Sequence, residues 1–159
     1  MVASTILAMP VSARAQEAGI DVGVMAPAAM VETLDGRAVD LGGYFGTGKP
    51  VVLEFWATWC PLCRRLEPQM KAARDKYAGQ ITFVSVGVSA NQSPERQRAY
   101  AEANGIGGEF VFDRNDMAQK AFKVPHTSYV VVLDGRGRVR YTGVGHEQDI
   151  EAAIRKAMP

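Results

Sequence analysis

Residues 51–56 and 81–88 are almost continuously apolar and rich in β-branched and aromatic side chains, which predicts two strands covered on both faces. Between them Leu62, Leu66, Met70, Ala73 and Tyr77 recur at steps of three and four. That spacing predicts an amphipathic helix over 61–77, with Pro61 in its first turn and Pro68 as an internal kink. Ser93-Pro94-Glu95 opens a polar-faced helix over 93–104, followed by a short strand at 110–112 and a helix at 115–122. Residues 129–133 and 138–142 flank a turn at 134–137 and predict a hairpin, after which 147–157 reads as a C-terminal helix. Upstream, residues 30–34 and 37–41 flank Asp35-Gly36, a pair that tolerates the positive φ angles of a type I′ hairpin turn. Four glycines and a proline make 42–50 a loop. The order is α/β: a βαβ unit, a helical insertion and a ββα unit. A central mixed β-sheet flanked by helices on both faces, with an N-terminal β-hairpin extension, accommodates it.

Length and composition narrow the function classes. The 159 residues suit one domain, and 47% hydrophobic with 22% charged residues excludes a disordered or fibrous chain. Eighteen Lys and Arg against 17 Asp and Glu leave +1, too little basic surplus for nucleic acid as a partner. Residues 1–15, MVASTILAMPVSARA, carry an apolar run followed by Ala13 and Ala15, an A-x-A cleavage pattern. No positive residue precedes the run, so the expectation is a truncated signal peptide, cleaved after Ala15. The mature domain is then residues 16–159, formally neutral, soluble, and periplasmic or otherwise exported.

Two cysteines, Cys60 and Cys63, are all the chain has, too few for a disulfide scaffold and without a second ligand pair nearby for a zinc knuckle. They stand where a buried strand passes into a helix. Unpaired N–H groups and the positive dipole end there stabilise a thiolate. Cys60 is expected to expose its sulfur and attack, and Cys63, one turn further in, to be shielded beneath it and to resolve the mixed disulfide. Half of a metal site and a redox-inert binding module are the competing readings. Glu54 lies in the apolar strand before the motif, where desolvation should raise its pKa and let it accept the Cys63 proton. Trp56 and Trp59 shape the core and the rim around Cys60. Arg64, Arg65 and His146 read as solvated surface.

The segment LEFWATWCPLCRRLEPQ resembles the active-site segment of thioredoxin-like proteins, specifically the TlpA/ResA-type exported thiol:disulfide oxidoreductases. Ala26-Pro27, the hairpin, residues 46–50 and Pro68 extend the resemblance over roughly residues 25–158. It implies a thioredoxin fold with no bound cofactor and a buried acid at Glu54. It also implies a monomer acting on protein thiols and disulfides, such as apocytochrome c or copper-site proteins, recharged by a membrane electron donor. Val124-Pro125 resembles the family's cis-proline loop, which makes Pro125 a site residue and puts Trp59, Pro61, Val124 and His126 around the substrate. The family usually follows that proline with Thr, whereas His126 intervenes here. A His in that loop also resembles Sco-type copper chaperones, so Cys60, Cys63 and His126 form an alternative Cys2His copper set, against which stands the Sco spacing C-x-x-x-C.

Overall fold

The computed structural model describes Gly19–Pro159, so the expected signal peptide lies outside the described residues. Strands β1 (Met30–Thr33), β2 (Ala38–Asp40), β3 (Val51–Trp56), β4 (Thr82–Val88), β5 (Glu109–Asp113), β6 (Tyr129–Leu133) and β7 (Val139–Val144) join in one sheet. Helices α1 (Pro61–Lys76), α2 (Pro94–Asn104), α3 (Met117–Ala121) and α4 (Ile150–Arg155) connect and cover it. Across the sheet the order is β2-β1-β5-β4-β3-β6-β7, with β3, β4 and β5 parallel and the other neighbours antiparallel. This is the mixed α/β arrangement expected from the sequence, with the hairpin as an added edge.

Alternation along β3 explains why it is apolar throughout. Val51, Leu53 and Phe55 enter one core with Ala118, Phe122 and the hairpin's Val31. Val52 enters the other, with Leu66, Met70 and Ala73 of α1 and Ile150 and Ile154 of α4. Glu54 and Trp56 continue this second face, so the period of two carries a carboxyl group beneath α1. Trp56 packs there on Tyr100 of α2 and on Phe110.

The β1–β2 turn departs from expectation. Gly36 N–H donates to the Thr33 carbonyl at 2.9 Å, and Thr33 N–H to the Arg37 carbonyl at 2.8 Å, closing a three-residue loop. Gly36 has φ +88° while Asp35 stays outside the left-handed region, so this is a type I turn with a glycine bulge and not type I′. The Thr33 hydroxyl holds the Asp35 carboxylate and favours that conformation.

Close approach fixes one strand glycine. A Cβ on Gly87 would lie 2.6 Å from Cδ of Gln97, a fully buried side chain of α2. Gly87→Ala is expected to cost about 1–3 kcal/mol by overpacking, read as a lower urea midpoint. An unchanged midpoint would mean that Gln97 shifts freely.

Candidate active site

Cys60 is the N-cap of α1, with φ −76° and ψ 112°, and its Sγ accepts the Cys63 N–H at 3.1 Å. Pro61 takes the first helical position, where its missing N–H costs nothing and its ring pre-sets φ. The helix continues through Pro68, which removes the N–H that would have paired with the Arg64 carbonyl. Cys60 and Cys63 are disulfide-bonded, their Cα atoms 5.3 Å apart, well within the span a disulfide bridges. The motif and its strand-to-helix context are therefore as read.

The expected exposure of Cys60 is not. Cys60 is 1% and Cys63 5% exposed, both packed with Trp56, Ala57 and Val88. The bond to Cys63 and the N-cap contact draw the Cys60 sulfur inward, while the neighbouring Trp59 ring, 41% exposed, forms the rim. Its Nε1–H donates to the Ala90 carbonyl at 2.7 Å.

Beneath the disulfide lies a cavity of about 20 Å³, room for one water, walled by Glu54 and Ser85 on the sheet, Cys63, Arg64 and Glu67 on α1, and Tyr100 on α2. Glu54 and Ser85 are register partners across β3 and β4. Burial pushes the Glu54 carboxyl up to about 8, helped by the nearby Glu67 charge and opposed by Arg74. Glu54 is 5% exposed, so its carboxyl does not reach solvent. Glu67 is also raised, by its own burial, against the pull of Arg74 and Lys71. Glu67 and Arg74 form a salt bridge, with side chains 26% and 9% exposed.

Sequence reading passed over several residues that hold this site. Gln92 accepts the Thr58 N–H at 2.9 Å and donates to the carbonyls of Val88 at 2.6 Å and Trp56 at 3.3 Å, tying the loop after β4 to the approach of the motif. No local pattern signals an amide clamp of that kind. Ser85 was legible in principle from the alternation of β4. Glu67 and Arg74, two helical turns apart on one face, were legible from their spacing. Arg64, expected as solvated surface, is exposed yet donates to the Thr58 carbonyl at 3.3 Å and walls the cavity.

The loop before β6 corrects two further expectations. No cis peptide bond occurs among the described residues, so the Val124–Pro125 bond is trans, the lower-energy isomer. The chain instead reverses through positive φ at Lys123 (+49°) and Ser128 (+64°), with Val124 N–H on the Gln119 carbonyl and Ser128 N–H on the Phe55 carbonyl. Pro125 is half-buried, His126 is exposed, and the half-buried Val124 packs against the core around Phe55 and Phe122. Cys60, Cys63 and His126 do not form a ligand set: among the described residues no three His, Cys, Asp or Glu side chains gather to hold a metal. The donor arrangement does not fit copper.

Among the described residues no helix is long and apolar enough to cross a membrane. Residues 22–142 match the AhpC/TSA family. The chain is 30% identical over 131 residues to the thioredoxin-like protein YneN of Bacillus subtilis, covering 82% of this chain and 75% of that one. It is 29% identical to the thiol-disulfide oxidoreductase ResA of Geobacillus thermodenitrificans, over 91% of this chain and 82% of that one. A crystal structure of a putative thiol:disulfide interchange protein DsbE from Chlorobium tepidum superposes with TM-score 0.70 at 27% identity, over 85% of this chain and 99% of that one. A C-x-x-C disulfide at a helix N-terminus, on a fold and in a sequence shared with these proteins, leaves one assignment: the chain belongs to the AhpC/TSA family of thioredoxin-like proteins and is a thiol-disulfide oxidoreductase.

Proposed function

We propose that this protein is an exported reductant of protein disulfides. Cys60 attacks, Cys63 resolves, Glu54 takes the Cys63 proton, and the Pro125–His126 loop with Trp59 and Pro61 borders the substrate. The observation that carries the reading is the placement of the Cys60 sulfur on the Cys63 amide at 3.1 Å, with Cys63 and the buried Glu54 sharing one cavity. A thiolate on Cys60 gains the helix-terminal N–H, which lowers its pKa and makes it the better leaving and attacking group. A carboxylate at Glu54 can remove the proton from Cys63, the thiol that shares its cavity. The A-x-A segment ending at Ala15 supports export. Oxidised partners in that compartment, apocytochrome c or copper-site proteins, are the proposed substrates, and a membrane electron donor recharges the pair. The protein acts as a monomer.

Equilibration of the Cys60–Cys63 pair against a dithiol buffer tests the direction. A potential near or below about −250 mV is expected for a reductant that draws on a donor. A potential above about −180 mV would make the protein a donor or isomerase of disulfides and reject the reductive reading.

A further inference from the structure

Resting on the acceptor role proposed for Glu54, we propose that Glu67 is the carboxylate through which Glu54 exchanges its proton with solvent, with Arg74 holding it in position. Three observations place it there. Glu67 walls the same cavity as Glu54 and Cys63. It is 26% exposed at the side chain, so it reaches both the enclosed space and the surface. Its salt bridge runs to Arg74, whose side chain is only 9% exposed and so holds the carboxylate from the buried side.

The charges around Glu54 are few. From α1 it faces Cys63, Arg64, Glu67 and Arg74; from β4, the neutral Ser85; from α2, Tyr100. Lys71 acts on Glu67 and is itself paired with Asp75. Arg74 neutralises one carboxylate of the two. The more buried one, Glu54, therefore holds a proton at neutral pH and must shed it before it can serve as an acceptor. The cavity, with room for a single water, supplies the connection to Glu67.

The cycle then balances. Glu54 first passes its proton by way of the cavity water to Glu67, and Glu67 to solvent. The Glu54 carboxylate takes the proton of the Cys63 S–H. The Cys63 thiolate attacks Cys60 Sγ, the Cys60–Cys63 bond forms, and the bond from Cys60 to the substrate sulfur breaks. The substrate leaves as a thiolate and is protonated by water, having received both electrons.

Stopped-flow mixing of the reduced protein with dithiobis(nitrobenzoic acid) resolves both steps, since attack by Cys60 and resolution by Cys63 each release one thionitrobenzoate. Glu67→Gln is expected to leave the first release unchanged, which also reports an intact fold. It should slow the second by about tenfold or more, and added formate or imidazole should restore that rate by carrying the proton. The inflection of the second release with pH should fall by about one unit, because Arg74 is freed to pair with Glu54. Glu67→Asp should recover most of the rate. A second release within twofold of the parent, or a slowed release that ignores added carriers, would overturn the proposal. Glu54→Gln run in parallel separates the two layers. Loss of the pH inflection in that variant keeps the acceptor role, and an unaltered second release rejects the role itself and the relay with it.

Discussion

Cys63→Ser is expected to stop exchange at the mixed disulfide: one thionitrobenzoate is released at the parent rate and the second falls by at least about a thousandfold. The reason is chemical. Without a second thiol, no nucleophile stands within the helix turn to attack Cys60 Sγ, and the adduct persists until an external thiol arrives. With a disulfide-bonded protein as substrate, the same variant should accumulate a covalent complex through Cys60 that reductant dissolves. Cys60→Ser should abolish both releases. The asymmetry rests on the N-cap, where Cys60 Sγ receives the Cys63 N–H at 3.1 Å and the thiolate is stabilised before attack. Both sulfurs are enclosed in the oxidised form, so burial does not distinguish them and the helix terminus must. A first release that survives in Cys60→Ser and vanishes in Cys63→Ser would reverse the two roles.

The parts of the fold that depend on near neighbours in sequence were open to reading. A strand covered on both faces announces itself by composition, and the C-x-x-C pair at the strand-to-helix junction has one obvious physical meaning. Glu54 was legible because its strand is otherwise apolar, and the structure buries it as the period of two requires. The misreadings came where the third dimension decides. Asp35-Gly36 permits a type I′ turn, yet the Thr33 hydroxyl selects a different one. Val124-Pro125 looked like a substrate loop held by a cis bond. The reversal is made instead by Lys123 and Ser128, at residue types that give no warning of positive φ. Gln92 sits in an unremarkable polar loop, and two of its three bonds reach Trp56 and Thr58, more than thirty positions away in sequence.

Those three bonds matter for the chemistry. The strand end at Trp56, the Thr58 amide and the Val88 carbonyl converge on one side chain, while Trp59 leans on Ala90 of the same loop. The residues from 56 to 59 are thereby held from outside the motif. The N-cap geometry of Cys60 is thus set by the loop after β4 as well as by the helix itself.

Glu54→Gln is expected to change the stability of the oxidised protein by an amount that depends on pH. In the unfolded chain a glutamate titrates near 4.5, whereas the folded Glu54 holds its proton up to about 8. Between those values the native state binds a proton that the unfolded state has lost, so stability falls as pH rises. The favourable contribution is fully present below 4.5 and gone above about 8. At 1.36 kcal/mol per unit, the stability of the parent relative to Glu54→Gln should decline by about 4–5 kcal/mol across that window. Gln buries an amide at every pH, so its own cost is constant and drops out of the difference. Urea unfolding of the oxidised forms at pH 4.5 and pH 9 measures it, with the variant gaining on the parent at the higher pH. Curves that run parallel would mean that Glu54 titrates as an ordinary surface carboxylate. The same raised pKa sets the kinetics: the parent's second thionitrobenzoate release should climb through about pH 8, as Glu54 becomes able to accept the Cys63 proton. In Glu54→Gln it should be flat in that range and about a hundredfold slower at the plateau. The destabilisation that a buried carboxylate imposes at high pH and its power to pull a proton from an enclosed thiol come from one cause, the lack of water around it.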